Sequence, residues 1–533
     1  MLQWRRDCAA VYCTRVLAKV RRGPYCSRRM PAKSSLIEYL AEHARRTPDR
    51  PLVHHDEGTV SFRELDEQTA RARGALATRG IGPGDRVALV MSDSPEMMVA
   101  MLAVMGLGAI VVLCSTMLKP AELEYMLGDS GAKLVIVTPE HAENARAAKA
   151  ARIVVAPDEL NALIAKAKPA PLGKFDGDTP CLILYTSGST GSPKGAVHTH
   201  EHFAETIERV GRQVYGLQPD DRVFSSSRLF FAYGLGNSFS FPIGMGAQVV
   251  LCSERPTPAV IADIFKRYKP TVFYAVPAVF RGLIEYARQG NKLQTGSLRY
   301  CVSAGEVLPA ATWHEWKEVS GTEILEGLGT TELLHCFIHN VSGKLRPGSS
   351  GLPVDGYELK LADENGGVVQ GAGRGALHVK GRSAIPYYLN KPDKTAESIK
   401  DGWVRTGDIY RRDEDGFYWF EGRGDDLFKC SGMWVSPGEV EEALMTHPAV
   451  LEAAVVAEAD ERGGTIAAAY VALRPGHSQG DGLARELMEH AAKTLPRYKR
   501  PQRVHFMDAL PRTATGKVQR FKLRQLSNSG QRP

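Results

Sequence analysis

The sequence predicts an α/β fold with a large N-terminal domain of helix-wrapped β-sheets and a small α+β domain at the C-terminus. Three observations predict it. The chain has 533 residues, which is long enough for two or more domains. Short runs rich in β-branched residues alternate with segments of helical apolar spacing. Near residue 420 a charged turn separates this alternation from a compact unit with its own strands and helix start.

The strands of the large domain are predicted from short apolar runs. These runs are "RVALVMS", "AIVVLCS", "KLVIVT", "CLILYTS", "QVVLCS" and "TVFYAV". Segments such as "SFRELDEQTARARGALATRG", residues 61–80, lie between them and repeat apolar residues at the spacing of an amphipathic helix. Strands that alternate with helices in this way indicate a largely parallel sheet covered by helices.

One stretch has the length of a membrane span, because residues 97–118 carry no charged side chain. Gly106 and Gly108 divide this stretch into two shorter parts. We therefore predict a buried helix that ends at the glycines, followed by the buried strand "AIVVLCS", and no integral membrane segment.

The small domain is predicted over residues 425–526, after a large domain over residues 34–424. The run "SPGEVEEALMTHP" has the features of a helix start, with Ser436 as the N-cap, Pro437 at the first helical position and Glu439 placed for a capping box. The runs "VLEAAVVAEAD" and "TIAAAYVAL" are predicted to follow as strands.

The formal net charge is +7, and nearly all of it lies in the first 33 residues, which hold nine Lys or Arg residues and one acidic residue. The remaining body is nearly neutral, which excludes a general nucleic-acid footprint. Residues 1–33 are predicted to be a basic disordered extension, with Met30 opening the ordinary chain. An Arg-rich organelle transit peptide is the alternative. Residues 527–533 are predicted to be a C-terminal tail.

The cysteine pattern argues against a disulfide framework. The chain has nine cysteines, and no two of them form a C-x-x-C pair. This spacing also disfavours zinc ribbons. It predicts a reducing compartment and therefore a cytoplasmic protein.

The loop that follows "CLILYTS" has the composition of an anion-binding cradle. It reads "YTSGSTGSPKG" over residues 185–195 and combines hydroxyl side chains, glycines and Lys194. It is not a Walker A loop, because Lys194 is preceded by Pro193 and followed by Gly195. A flexible Ser/Gly linker is the alternative, but such a linker would not directly follow an apolar strand.

This loop resembles the phosphate-binding signature of the adenylate-forming enzymes, which include acyl-CoA synthetases, peptide-synthetase adenylation domains and luciferases. Further motifs follow in the order of that family: "GLGTTE" at 327–332, "TGD" at 406–408, "GRGDDLFKCSG" at 422–432 and "PRTATGK" at 511–517. The resemblance covers roughly residues 34–526. It implies a mobile small domain that rotates about a hinge between two half-reactions.

The resemblance implies ATP- and AMP-binding roles for several groups of residues. The predicted β- and γ-phosphate loop contains Thr186, Ser187, Gly188, Ser189, Thr190, Gly191 and Lys194. The predicted adenine and phosphate segments contain Ala304, Gly305, Glu306, Gly327, Leu328, Gly329 and Thr330. Asp408 and Arg423 are implied to bind the ribose, since a carboxylate can accept from both ribose hydroxyls. An ordinary surface ion pair is the alternative for Arg423.

The resemblance implies catalytic roles for Lys517, Lys429 and Thr331. Thr331 would contact the α-phosphate, and Glu332 would bind Mg²⁺, a hard ion suited to a carboxylate oxygen. Lys517 would swing in and bridge the substrate carboxylate and the α-phosphate during adenylation. Acetylation of Lys517 would remove the charge that this step needs, which predicts a regulatory modification.

The same resemblance places the hinge at Asp425. The surface that admits the pantetheine arm of CoA, here called the CoA face, would hold Lys429 and the segment "SGMW". The members of that segment are Ser431, Gly432, Met433 and Trp434.

The acid pocket is predicted from "LFFAYGLGNSFSFP", "ERPTP" and "TTELLH", which together resemble the benzoate–CoA ligases. Small residues at Ala232, Gly234 and Gly329 would leave room for a flat ring, which the side chains of Tyr233 and Leu334 would flank. The remaining pocket candidate is His335. It would either reach the carboxylate end of the acid or cap a loop.

Two residues depart from the benzoate pattern, Cys336 and His339, where apolar or small residues are usual. Benzoate, hydroxybenzoate, aminobenzoate and cyclohexanecarboxylate therefore remain alternatives for the acid.

The resemblance thus implies an ATP-dependent aryl-acid CoA ligase that uses ATP, Mg²⁺ and coenzyme A and acts on a small aromatic carboxylate. Such an enzyme would be a monomer or a homodimer. Loading of a carrier protein is the alternative within the enzyme class, although no carrier domain follows residue 526. A nucleotide-binding regulator with a decayed site is disfavoured, since Lys517, Glu332 and Asp408 are all present.

Overall fold

The computed structural model describes residues 33–150, 152–186, 193–460, 464–512 and 518–529. The described helices, in chain order, are α1 Leu36–Arg46, α2 Phe62–Thr78, α3 Pro95–Gly106, α4 Pro120–Ser130, α5 Ala142–Ala147, α6 Asp158–Lys166, α7 His200–Thr206, α8 Ala232–Leu235, α9 Phe241–Met245, α10 Pro258–Tyr268, α11 Pro277–Arg288, α12 Ala310–Ser320, α13 Pro392–Ser398, α14 Pro437–Met445, α15 Asp481–Ala492 and α16 Arg520–Ser529. Stretches of π-helix and 3-10 turns complete them at Pro139–His141, Ile207–Val214, Gly236–Ser240, Thr331–Leu333 and Arg497–Lys499.

The described strands form five separate sheets. In chain order they are β1 Pro51–His55, β2 Gly58–Ser61, β3 Arg86–Val90, β4 Ile110–Leu113, β5 Leu134–Val137, β6 Ile153–Val155, β7 Pro180–Thr186, β8 Lys194–Thr199, β9 Arg222–Ser225, β10 Gln248–Val250, β11 Val272–Ala275, β12 Tyr300–Ser303, β13 Ile324–Gly329, β14 Cys336–His339, β15 Leu352–Pro353, β16 Glu358–Ala362, β17 Gly373–Lys380, β18 Ile399–Lys400, β19 Trp403–Arg412, β20 Tyr418–Arg423, β21 Phe428–Cys430, β22 Met433–Val435, β23 Val450–Ala459, β24 Thr465–Leu473 and β25 Pro501–Phe506.

Two large sheets dominate the N-terminal domain, and both are mostly parallel. One has the order β6-β5-β3-β4-β7-β8, with β8 antiparallel to β7. The other has the order β15-β14-β13-β12-β11-β9-β10-β1-β2, with antiparallel strands at both ends. The predicted α/β class and the predicted parallel strands are therefore confirmed.

Helix α3 lies in the core that the two sheets share. It begins with Ser94 as N-cap, whose hydroxyl accepts from the amide of Met97 at 3.2 Å, and ends at Gly106. Its apolar residues are buried in one cluster with residues from strands of both sheets. The predicted helix–glycine–strand order is confirmed, because β4 follows in parallel with β3. Across the described residues, no helix is both long and apolar enough to cross a bilayer.

A third, antiparallel sheet and a small C-terminal domain complete the chain. Strands β16 to β20 form the sheet around β17 and β19. The C-terminal part contains the hairpin β21–β22 and the sheet β23-β24-β25, which packs with α14, α15 and α16. This is the predicted small α+β domain. Its exact boundary, at residues 423–426, stays a prediction.

One local prediction is wrong in its detail. Helix α14 begins after Ser436 with Pro437 at its first position, as expected, but no capping box forms. The Ser436 hydroxyl instead donates to the carbonyl of Glu421, and Glu439 forms an ion pair with Lys499. Tertiary partners therefore take both side chains that the local motif would use.

Candidate active site

The predicted phosphate loop joins two antiparallel strands at the edge of the six-stranded sheet. Thr186, the last residue of β7, pairs with Lys194, the first residue of β8. The Lys194 ammonium lies 4.4 Å from the centre of the Tyr388 ring. The intervening loop candidates lie outside the described residues, and they are Ser187, Gly188, Ser189, Thr190 and Gly191.

The predicted metal ligand lies in the 3-10 turn that follows β13. The hydroxyl of Tyr388 donates to Glu332 Oε1 at 2.6 Å. The ring of His198 donates from Nε2 to the carbonyl of Thr331 at 2.8 Å. Because a carbonyl only accepts, Nε2 carries the proton. Both Thr331 and Glu332 are thus anchored by buried side chains of other elements.

The predicted adenine segment follows β12, at the edge of the nine-stranded sheet where β13 also ends. Strands β12 and β13 are parallel neighbours, so their carboxyl ends meet there. Gly305 has φ +92°, a conformation that favours glycine, and lies between Ala304 and Glu306. Glu306 is 3.5 Å from Arg512. The end of β13 and the next residue supply the remaining candidates, Gly327, Leu328, Gly329 and Thr330.

The two predicted ribose ligands are cross-strand partners on β19 and β20. Arg423 Nη1 donates to Asp408 Oδ1 at 2.9 Å. Asp408 is buried, and its amide donates to the hydroxyl of Thr406 at 3.1 Å. The arginine therefore holds the buried carboxylate in place, although its own side chain is 43% exposed. The ribose role of both residues stays a prediction.

The predicted acid-pocket residues meet in an aromatic cluster. The Tyr233 and His335 rings are 5.8 Å apart, and the ring of Phe241 lies 4.7 Å from that of His335. The Tyr233 hydroxyl donates to the carbonyl of Val302 at 3.0 Å. Leu334 is buried beside them. His335 therefore lies inside the protein against aromatic rings and does not cap a surface loop.

Burial sets the charge of this cluster. Desolvation lowers the pKa of His335 to about 3, and the nearby His339 contributes to the shift. Desolvation also lowers the pKa of His339 to about 4. Both rings are therefore neutral near pH 7, and the cluster presents an uncharged surface.

At Gly234 and Gly329, neighbouring backbone atoms leave no room for a side chain. A Cβ at Gly234 would overlap the carbonyl oxygens of Ser227 and Arg228. A Cβ at Gly329 would lie 2.7 Å from the carbonyl oxygen of His335. The backbone is therefore tightly packed at both glycines, and their pocket role stays a prediction.

We expect Gly234→Ala to lower the free energy of unfolding by roughly 1–3 kcal/mol, because carbonyl backbone cannot move aside as a side chain can. Gly128→Ala is the matched control, since it lies in α4 with open space around its Cβ position. There we expect a gain of up to about 1 kcal/mol from helix propensity. Denaturant titrations of both variants test this. Equal stability of Gly234→Ala and the wild type would contradict the packing argument.

The predicted CoA face forms the hairpin β21–β22. The Lys429 ammonium is 4.6 Å from the centre of the Trp434 ring on the facing strand. The Trp434 indole donates to Glu364, in the turn between β16 and β17, at 2.8 Å. Ser431 and Gly432 form the turn of the hairpin with positive φ, and Met433 is exposed. The described arrangement therefore joins the CoA-face residues to one another but not to the phosphate residues.

Lys517 lies outside the described residues, but the flanks of its segment are described. Arg512 and Val518 form an antiparallel bridge. Arg512 also pairs with Glu452 at 2.7 Å, besides its contact with Glu306. Arg512, at the start of the segment that carries Lys517, thus contacts the predicted adenine segment through Glu306.

Sequence reasoning missed the buried side chains that hold the turn after β13. His198 and His202 contact each other through their Nδ1 atoms at 3.0 Å, and Tyr388 reaches Glu332. The alternating histidines in "AVHTHEHF" are an unusual pattern directly after the phosphate loop. Tyr388 is one of two adjacent tyrosines, and nothing in the sequence indicates that it contacts Glu332.

Comparison with known proteins agrees with this geometry. The sequence model of the family described as AMP-binding enzyme matches residues 40–389, and that of the AMP-binding enzyme C-terminal domain matches residues 439–517. The chain is 40% identical over 484 residues to the benzoate–CoA ligase of Thauera aromatica, covering 88% of this chain and 91% of that protein.

Two solved structures share the fold over nearly their whole length. One is an anthranilate CoA ligase in complex with anthranoyl-AMP, at 35% identity and TM-score 0.89, covering 94% of this chain and 98% of that one. The other is a benzoate CoA ligase from Burkholderia xenovorans LB400, at 37% identity and TM-score 0.86, covering 92% and 99%. Because family match, sequence identity and fold agree, this chain belongs to the AMP-binding enzyme family.

Proposed function

We propose that this chain is an AMP-forming aryl-acid CoA ligase of the benzoate type. It activates an aromatic carboxylate with ATP as acyl-AMP, releases pyrophosphate, and transfers the acyl group to CoA with release of AMP. One observation carries the proposal. In the segment between β13 and β14, Glu332 accepts a hydrogen bond from Tyr388, whose ring also contacts Lys194. Three residues later, His335 lies in the aromatic cluster. This arrangement supports a proposed phosphate site next to a proposed ring pocket, in a chain of the AMP-binding enzyme family.

The reaction needs charge neutralisation more than covalent help. A carboxylate is a poor acyl donor, because its leaving group would be oxide, so it must first attack the α-phosphate. Lys194 would stabilise the departing pyrophosphate, and Thr331 would contact the α-phosphate. The Asp408–Arg423 pair would fix the ribose, so that the α-phosphate meets the acid in line.

The residues present fit a magnesium ion held with the nucleotide. Within the described ranges, no group of three or more His, Cys, Asp or Glu side chains forms a metal cage. Mg²⁺ is commonly bound through one or two carboxylates together with substrate phosphates, and Glu332 offers one anchored carboxylate. When bound, Mg²⁺ would neutralise charge that develops on the phosphate oxygens.

The acid is proposed to be a small ring carboxylate. The cluster of Tyr233, Phe241 and His335 is largely buried, aromatic and uncharged, and a pocket beside it would favour a flat apolar ring over a charged or long aliphatic chain. Benzoate is the first candidate, and hydroxybenzoate, aminobenzoate and cyclohexanecarboxylate remain the alternatives. Relatives named for benzoate and for anthranilate support this class.

The compartment and assembly are also proposals. The described cysteines are free thiols, which supports a reducing compartment such as the cytoplasm. We propose a monomer or a homodimer, since the two half-reactions need only the residues of one chain.

Acid-dependent exchange of labelled pyrophosphate into ATP tests the first half-reaction over a panel of ring and aliphatic acids. We expect the highest kcat/KM for a ring acid and at least about a tenfold loss for hexanoate, which corresponds to 1.4 kcal/mol of differential binding. A parallel assay offers the activated acid to free CoA and to a carrier protein. Transfer only to the carrier protein, or exchange with aliphatic acids alone, would contradict the proposal.

A further inference from the structure

Tyr388 links the two groups that the proposed function assigns to the metal and to the pyrophosphate. Its hydroxyl donates to Glu332 Oε1 at 2.6 Å. The Lys194 ammonium lies 4.4 Å from the centre of the Tyr388 ring, a distance at which a cation is attracted to an aromatic face. One buried side chain thus contacts an acidic residue in the turn after β13 and a basic residue at the start of β8.

The backbone around Tyr388 is held from both sides. Its neighbour Leu389 donates to the carbonyl of Gly195 at 2.8 Å, and Tyr388 bridges Ala196, so the segment continues the pairing of β8. On the other side, Ile385 donates to the carbonyl of Glu332 at 2.9 Å. The segment therefore fastens the strand after the phosphate loop to the turn after β13.

An ordinary core tyrosine needs no such arrangement. A core role would be met by burial of the ring, with the hydroxyl bonded to a backbone carbonyl as in Tyr233. In Tyr388 the hydroxyl is directed at a carboxylate oxygen, and the hydrogen bond occupies only Oε1. In the described part of the chain no other side-chain donor contacts this carboxylate, so Oε2 keeps its lone pairs for a cation.

We propose that Tyr388 is a positioning residue for metal-dependent ATP binding: it orients Glu332 toward Mg²⁺ through its hydroxyl and holds Lys194 toward the phosphates through its ring. This inference rests on the proposed function for the roles of Glu332 and Lys194. A charged acceptor makes the hydrogen bond strong, and the bond fixes one oxygen so that the other points in a defined direction.

Two variants separate the two contacts. Tyr388→Phe removes the hydroxyl and keeps the ring under Lys194, whereas Tyr388→Leu removes both. Calorimetry measures the Kd of ATP for the whole chain in the presence of EDTA and again with excess Mg²⁺. For Tyr388→Phe we expect an unchanged Kd in EDTA and a Kd for MgATP raised about tenfold, the loss expected for one hydrogen bond to a charged group. For Tyr388→Leu we expect weaker binding in both conditions.

A spectroscopic readout reports the metal directly. Mn²⁺ bound with ATP gives an electron paramagnetic resonance signal that is independent of turnover, and we expect weaker Mn²⁺ binding in Tyr388→Phe. Tyr387→Phe is the matched control, because the neighbouring tyrosine is 41% exposed and should change neither signal nor Kd. Adding Tyr388→Phe to Glu332→Gln should cause little further loss, since Tyr388 acts on the metal only through that carboxylate.

The outcomes distinguish this inference from the proposed function. Wild-type metal dependence in Tyr388→Phe, or equal weakening with and without Mg²⁺, would overturn the positioning role. A wild-type enzyme that activates no ring acid would instead defeat the proposed function. In that case a metal-specific loss in Tyr388→Phe would still support the role of Tyr388 in nucleotide binding, because the binding assays contain neither acid nor CoA.

Discussion

Lys517→Ala is expected to lower acyl-adenylate formation by at least about 100-fold, the scale for removing a group that stabilises charge in the transition state. Thioester formation from preformed acyl-AMP should be largely retained, since the carboxylate and α-phosphate are then already joined. The flanks of the segment support this role, because Arg512 contacts Glu306 beside the end of β12.

Single-turnover measurements of both half-reactions test this prediction. Lys522→Ala is the matched control, because Lys522 is exposed on α16 of the same small domain and should leave both steps unchanged. Equal loss of both half-reactions in Lys517→Ala would refute the assignment, and so would normal adenylation.

Asp425→Pro is expected to leave adenylation near the wild-type rate and to slow thioester formation by about tenfold or more, a change equivalent to 1.4 kcal/mol or more in reaching the second conformation. Asp425 lies in the turn between β20 and β21, where Asp426 and Leu427 both donate to the carbonyl of Arg423. In the described structure the Asp425 amide makes no backbone hydrogen bond, so proline at this position removes none.

Rotation about this turn is what the proline restricts, because its ring locks φ and limits the preceding residue. On the predicted rotation, the CoA face would move for thioester formation, since Lys429 now contacts Trp434 and Trp434 contacts Glu364. Pre-steady-state traces of pyrophosphate release and of acyl-CoA formation give the two rates. Asp425→Ala is the control and should retain both. A proline variant with both rates intact would show that the hinge lies elsewhere.

Much of the fold was predictable because local pattern and burial agree. Gly106 and Gly108 mark the end of helix α3 and the turn into β4, and the apolar runs became the strands of the two large sheets. The capping box at Ser436 was not formed, because Glu421 and Lys499, both distant in sequence, take its two side chains. Such competition depends on tertiary contacts that a local motif does not contain.

The site shows the same division. The order of the motifs predicted Thr186, Lys194 and Glu332 from the sequence. The link between Lys194 and Glu332 depends on Tyr388, which lies in a segment that matches none of these motifs. The burial of His335 and its neutral state also follow from packing by Tyr233 and Phe241, not from its place in "TTELLH". Contacts across long sequence separations set these features.

The product balance of one complete reaction tests the central claim most directly. The enzyme is incubated with benzoate, ATP, Mg²⁺ and CoA, and the nucleotides, phosphates and thioester are quantified by mass spectrometry. We expect benzoyl-CoA, AMP and pyrophosphate in equal amounts. If the enzyme prefers another ring acid, we expect the CoA thioester of that acid, AMP and pyrophosphate in equal amounts. Formation of ADP and phosphate, or the absence of an aryl-CoA from every ring acid, would contradict it.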